Sequence, residues 1–275
     1  MHPLLLDFGS WTIGGMEIPL RIPAYGTFML LGMLAGWMVV RKLGPRVDPD
    51  LDWSDLFLGL LISGILGAKV LHLIVEIPEL RAGQVTFWQV FMSGGIWLGA
   101  VLFGLAYAWS FFRRHPGLNA GAVLNVMFTA VPLGHIFGRL GCFFAGCCYG
   151  GRCDLPWAVT YTNQLAARFS GTPLGVGLHP TPLYEVTAEA FNFTVCLLLW
   201  KRRPAPGLIV VTWMGLYGAQ RFFIEFLRGD PRGGWWLLST SQWISVTMVV
   251  GALVWLMSRR GALFEQAPAA EPSRG

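Results

Sequence analysis

Seven apolar runs follow one another along this chain, at roughly 24–40, 56–75, 88–112, 119–137, 182–200, 207–226 and 240–258. Each falls within the about 17–25 residues that a helix needs to cross the hydrocarbon core of a bilayer. Backbone in lipid must satisfy its own hydrogen bonds, so runs of this length specify helices. In 275 residues, seven crossings leave room for short loops and one longer stretch, 138–180, but for no sizeable soluble domain. Charged residues make up 13% of the chain, about half of what soluble domains carry, and the mean hydropathy is +0.55. These values exclude a disordered protein, a coiled coil and a basic nucleic-acid-binding domain. The expected fold class is therefore all-α, a polytopic integral membrane protein. Residues 1–260 are expected to form one membrane-embedded domain, and 261–275, rich in Ala, Pro and Glu, a disordered tail. The first fifteen residues lack the basic, apolar and small-residue order of a cleavable signal.

The net charge of +5 matters through its placement. Basic clusters at 41–46, 113–115, 201–203 and 259–260 follow the first, third, fifth and seventh runs. Lys and Arg concentrate on the cytoplasmic side. Seven spans put all four clusters on that side, with the N-terminus outside and the C-terminus in the cytoplasm. Arg139, Arg152, Arg168, Arg228 and Arg232 then lie on the outer side, against the bias. Binding an anionic group explains such arginines; for Arg168 and Arg232 ordinary outer-loop charge is sufficient.

Ionisable residues at membrane depth are costly and mark function or a structural pair. Lys69 and His72 lie on one face of the second run, with Glu185 or Glu189 as conceivable structural partners. The segment Gly138 to Gly151 holds five glycines besides Arg139 and is expected to be irregular backbone lining a cavity. Arg221, Glu225 and Arg228 fall at i, i+4 and i+7, which gives one helix face with an acid between two bases and a net positive charge. His179 to Glu185 opens the fifth run, where Pro180 and Pro182 suit a helix start and Glu185 suits its dipole.

Cys142, Cys147, Cys148 and Cys153 fall within twelve residues. Their four-residue gaps match structural zinc spacing poorly. Disulfides or packing come first, a metal second and a nucleophilic thiol third; Cys147 has arginines near it that favour a thiolate.

Taken together, these segments resemble the bacterial prolipoprotein diacylglyceryl transferase family. The family's Gly-Arg-x-Gly with its following Gly-containing turn matches Gly138-Arg139-Leu140-Gly141 through Gly146 and Gly150. Its His-Pro-x-x-Leu-Tyr-Glu matches His179 to Glu185, and its Arg-Phe-x-x-Glu-Phe-x-Arg matches Arg221 to Arg228. The first run opens on Tyr25-Gly26, similar to the family's Tyr-Gly. The resemblance implies transfer of the diacylglyceryl group of phosphatidylglycerol to the lipobox cysteine of a preprolipoprotein, at the bacterial cytoplasmic membrane and without a cofactor or metal. It implies Arg139 and Arg221 as the catalytic pair. Tyr25, Gly141, Gly146, Gly150, His179, Tyr184, Glu185, Glu225 and Arg228 are then substrate-binding, with Cys142, Cys147 and Lys69 as further candidates.

The chain departs from the family where Asn and an acid usually stand, at Cys142 and Cys147, and no histidine follows Gly94-Gly95. His179, Glu225 or a water-linked Glu185 are the remaining candidates for thiol base. A related lipid transferase with another acceptor is the main alternative. A transporter or metal–thiol carrier is a third, although the runs show no internal repeat.

Overall fold

A computed structural model describes residues 2–13, 16–92, 94–230, 233–259 and 263. The 261–275 tail, apart from position 263, and Arg232 lie outside the described residues. The chain divides into two compact units, Val40–Val123 and the remainder.

The larger unit begins with an antiparallel hairpin, β1 (Leu4–Ile13) on β2 (Met16–Pro23), which was not among the expected elements. Helix α1 (Ala24–Leu43) starts directly after Pro23 and ends with Arg41 and Lys42 in its last turn. Cations are favoured there by the helix dipole as well as by topology.

The smaller unit is built on α2 (Trp53–Val75) and α5 (Trp97–Arg114), which pack along each other. Asp52 caps α2 by accepting from the backbone N–H groups of Ser54 and Asp55. Gly67 and Gly99 face each other so closely that a Cβ on either would meet the other's carbonyl. Small residues of this kind let membrane helices approach. The 88–112 run is not one helix: α3 (Ile77–Arg81) and α4 (Phe87–Met92) precede α5, and 94–96 between α4 and α5 are irregular. Gly94 and Gly95 sit in that break, which supplies the turn.

Helix α6 (Ala120–Ala145) begins at the boundary of the two units and runs on into the larger one, with Pro132 inside it. It overturns the expectation of irregular backbone from Gly138: Arg139, Gly141 and Cys142 are all helical. Glycine costs a helix only about 1 kcal/mol, and here it admits a neighbour, since Tyr25 and Phe28 of α1 press on Gly141 at 3.3 Å from a Cβ position. The segment after α6 carries β3 (Val159–Thr160), α7 (Gln164–Ser170) and β4 (Gly177–Leu178), with β3 and β4 paired.

Three long helices complete the larger unit: α8 (Thr181–Lys201), α9 (Leu208–Glu225) and α10 (Thr240–Ser258), with the short hairpin β5 (Gly234–Trp235) and β6 (Leu238–Ser239) before α10. α9 packs against both α8 and α10. Asn125 on α6 donates to the Ala205 carbonyl at 3.0 Å and accepts from the Ile209 N–H at 3.1 Å, which fixes the start of α9 against α6. Among the described residues seven long helices overlap the seven apolar runs, the third run only in its later part. Four of them, Ala24–Arg46, Trp53–Val75, Ala120–Ala145 and Thr240–Ser258, are long and apolar enough to cross a membrane. Large apolar side chains such as Leu34, Met38, Ile62, Leu66, Leu105 and Val254 are exposed on these and other helices. Bands of this kind require a lipid or protein cover.

Candidate active site

The larger unit gathers most of its buried charge in one place. Glu185, on the second turn of α8, is fully buried. Its Oε2 lies 2.7 Å from Arg139 Nε, and its Oε1 accepts from Arg221 Nη1 at 3.4 Å and Arg228 Nη1 at 3.2 Å. One carboxylate therefore holds three guanidiniums from α6, from α9 and from the turn after α9. An isolated charge at this depth is prohibitively costly, whereas a paired one is tolerated.

The arginines differ in how much of each is committed. Arg228 is spent on structure: Nε and Nη2 donate to the two oxygens of Asp230 at 2.8 and 2.9 Å, Nη1 reaches Glu185, and the side chain is 2% exposed. Burial works against its charge, but Asp230 and Cys148 outweigh it and hold Arg228 further above the ordinary arginine range. Arg221 pairs with Glu225 one turn on, at 2.5 Å, and its Nη2 also reaches Ser241. Arg139 differs. Among the described residues its ion pair and its hydrogen bond both use Nε, to Glu185 and to His135 Nε2 at 3.1 Å. Among the described residues no hydrogen bond engages its Nη1 or Nη2, and it is the most exposed of the three side chains, at 16%. A planar fork with two unused donors is suited to a phosphate.

The expected helical face of Arg221, Glu225 and Arg228 is only half right. α9 ends at Glu225, and Arg228 lies in the following turn, bridged to Gly150. Glu225 pairs with Arg221 and accepts from Ser239 Oγ at 2.8 Å. The face is also not net positive: Glu185, Glu225 and Asp230 balance Arg139, Arg221 and Arg228.

A second layer lies deeper. His135 Nε2 accepts from Arg139, so Nδ1 carries the proton and donates to Glu189 Oε1 at 3.2 Å. Fully buried Glu189 also accepts from Gln220 at 2.6 Å and Trp213 at 3.3 Å, and Asn192 donates to Gln220 at 3.1 Å. None of these residues was singled out from the sequence as part of the site, although Glu189 was named as a possible partner for Lys69. Their signal was present: Glu185, Glu189, Asn192 and Cys196 recur at helical spacing within an apolar run and are all buried.

The loop after α6 closes the site from one side. Gly150 N–H donates to the His179 carbonyl at 3.0 Å, His179 N–H to Gly151 at 2.9 Å, and Gly151 N–H to Leu227 at 2.9 Å. A Cβ at Gly150 would stand 2.5 Å from His179 Cβ and 2.7 Å from the Leu227 carbonyl, so the close approach requires glycine. Gly146, at φ +78, makes the turn out of α6. His179 Nδ1 lies 3.1 Å from Tyr184 Oη, which accepts from Trp157 at 2.8 Å. Tyr25 is half exposed beside Gly141, with charge interactions to Arg139 and Cys142. Cys142, Cys147 and Cys148 lie near Arg139 and Arg228; these three, Cys153 and Cys196 are all free thiols, so of the disulfide-or-packing expectation no disulfide is formed among the described residues.

Lys69 belongs to the smaller unit. Its ammonium donates to the carbonyls of Phe91 at 2.7 Å and Gly94 at 3.1 Å, beside His72. The partners anticipated for it, Glu185 and Glu189, are engaged within the larger unit. Gly94 and Gly95 line a cavity of ≈ 520 Å³ with His72, Glu76 and Gln89.

Helices long and apolar enough to cross a membrane, beside a buried set of paired arginines and carboxylates, define a helical membrane protein with a buried charged site. The family model for prolipoprotein diacylglyceryl transferase matches residues 14–258, and the chain belongs to that family. It is 34% identical to phosphatidylglycerol–prolipoprotein diacylglyceryl transferase of Clostridium tetani, over 87% of this chain and 94% of that protein. It is 32% identical to the second such transferase of Clostridium perfringens, over 86% and 90% of the two chains. The enzyme of the same name from Solidesulfovibrio magneticus is 31% identical, over 88% and 91%.

Proposed function

We propose that this chain transfers the diacylglyceryl group of phosphatidylglycerol to the lipobox cysteine thiol of a preprolipoprotein, releasing glycerol phosphate. The relatives carry this activity in their names, and the observation that carries it to this chain is the Arg139 fork. It is held at membrane depth by Glu185 and His135, with Nη1 and Nη2 available to a phosphodiester.

In this reading the acceptor thiolate attacks the glyceryl carbon that bears the phosphodiester. A C–S bond forms, the C–O bond to phosphate breaks, and its electron pair leaves with the phosphate oxygen. Arg139 and Arg221 are the catalytic pair. Arg139 takes the phosphate oxygens on its two Nη groups, and Arg221, anchored by Glu225 and Glu185, adds positive potential to the leaving group. Arg228 and Glu185 position them. Gly141, Gly146 and Gly150 allow the close backbone packing that shapes the site, with Tyr25, His179 and Tyr184 at its edge.

Residues 1–260 act as one membrane-embedded transferase with seven spans, N-terminus outside and C-terminus in the cytoplasm of a bacterium. The basic residues at the ends of α1, α5 and α8 support this orientation.

Detergent-purified protein, given phosphatidylglycerol labelled in its acyl chains and a lipobox peptide, is expected to yield a diacylglyceryl thioether peptide and free glycerol phosphate. A peptide with Ser in place of its Cys is expected to remain unmodified. Label transferred to lysate acceptors and never to the lipobox peptide would favour the related transferase with another acceptor.

A further inference from the structure

Cys142, Cys147 and Cys148 bring their sulfurs within 4.8 Å of one another, in a group able to hold a metal ion. The chain is bent to achieve this. α6 ends at Ala145, Gly146 turns at φ +78, and Cys148 sits at φ 59, a conformation that non-glycine residues adopt only where their surroundings impose it. The surroundings are a bond from the Cys147 N–H to the Cys142 carbonyl at 3.0 Å and one from Thr181 Oγ1 to the Cys148 carbonyl at 2.7 Å. Two sulfurs on one tetrahedral zinc, each about 2.3 Å from the ion, lie about 3.8 Å apart. The cluster needs only a small closing movement to reach that spacing.

Its neighbours fit a thiolate-rich site. Three thiolates around a divalent cation carry one net negative charge. Arg228 interacts electrostatically with Cys148, and Arg139 with Cys142 and Cys148. Tyr161 Oη is buried and has no hydrogen-bond partner among the described residues, and the side chain interacts electrostatically with the same three cysteines. Its O–H is a ready donor to a metal-bound sulfur, the kind of outer contact that tunes such sites.

The proposed reaction has an unmet need that this cluster answers. An acceptor thiol with an ordinary pKa of about 8.5 must arrive as a thiolate. Most nearby bases are already occupied, Glu185 and Glu225 by arginines and His135 by Arg139 and Glu189, while His179 engages Tyr184 through Nδ1 alone.

We propose that Cys142, Cys147 and Cys148 bind one zinc-class divalent cation as thiolates, and that its open fourth position takes the acceptor cysteine as its thiolate. This rests on the transferase reading above. Three protein ligands and one open position are the pattern of catalytic zinc, and coordination deprotonates a thiol outright. The thiol proton passes to water. The sulfur lone pair then forms the C–S bond as the C–O bond breaks toward phosphate, with no change of oxidation state. The product thioether is neutral and a weaker ligand than a thiolate, so the position reopens for the next acceptor.

The test uses the whole protein, purified in detergent under a reductant and loaded with zinc or with cobalt(II) as a visible probe. About one metal per chain is expected after gel filtration. Occupancy is expected to fall at least about tenfold in the Cys147→Ser, Cys148→Ser double variant and to stay unchanged in Cys196→Ser. A wild-type measurement guards against misfolded variants: zinc should protect Cys142, Cys147 and Cys148 from alkylation, read by mass mapping, and leave Cys153 and Cys196 as before. The lipobox peptide should shift the cobalt spectrum, and its Ser analogue should not. Transfer should fall at least about tenfold on chelation and return with zinc. Transfer that proceeds with no metal retained and no thiol protected would overturn the metal site and leave the transferase reading standing. A disulfide persisting among the three cysteines under reductant would overturn it as well. A metal whose spectrum answers the thiol peptide, without transfer from phosphatidylglycerol, supports the site and overturns the transferase reading instead.

Discussion

Glu185 and Arg139 touch each other but have different consequences when changed. Glu185 is the shared counter-ion of three buried arginines. Glu185→Gln leaves those guanidiniums under-compensated, and breaking a buried pair in this way costs about 3–5 kcal/mol. Thermal unfolding in detergent is expected to show a large drop in midpoint, with loss of activity following from loss of fold. Arg139→Lys keeps the charge but removes the fork, and an ammonium cannot offer two parallel donors to a phosphodiester. It is expected to unfold close to wild type while transfer falls about 10²-fold or more. Equal stability losses in the two variants would mean that Arg139 is as structural as Arg228. The Arg221–Glu225 pair was legible in the sequence, because a helix sets i and i+4 side by side. The convergence of Arg139 and Arg228 on Glu185 was not, because it depends on how α6, α8 and the turn after α9 meet, which local spacing does not encode.

Helix ends carry much of the site's precision. α6 is longer than its glycines suggest, since Gly138 and Gly141 read as breakers but serve as contact surface for α1. The turn beyond it is where glycine is indispensable. Gly150→Val drives a side chain into His179 and the Leu227 carbonyl. Overpacking of this kind costs about 1–3 kcal/mol; the variant is expected to insert into membranes in normal amount and to lose transfer. Transfer at the wild-type rate would show that the 149–151 loop does not shape the site. α10 opens with a capping box between Ser239 and Gln242, and Ser239 also donates to Glu225. Ser239→Ala removes both roles and is expected to lower stability by about 1–2 kcal/mol, measured by denaturation in mixed micelles. That double duty is invisible in sequence, where Ser239 is only a good helix start.

At the scale of the molecule, the helical membrane class was legible because bilayer thickness sets a length that composition must meet, and four helices meet it among the described residues. The N-terminal hairpin was missed although its signal was present: Met16, Ile18, Leu20 and Ile22 alternate with Glu17, Pro19 and Arg21, and two glycines precede them. The basic ends of α1, α5 and α8 give the orientation a direct check. A fluorescent reporter fused at the C-terminus should fold in the cytoplasm, and a thiol-labelled cysteine placed in β1 should react with an impermeant reagent from outside. Labelling only after cells are opened would reverse the topology. In the proposed function a guanidinium fork on α6, held by Glu185, carries the transfer of a lipid glyceryl group to a thiol. It is tested most directly by measuring label transfer from phosphatidylglycerol to a lipobox peptide with wild type beside Arg139→Ala, at equal amounts of inserted protein. The expected result is thioether product from wild type and at least about 10²-fold less from the variant. Full activity in the variant, or none in well-folded wild type, would contradict the account.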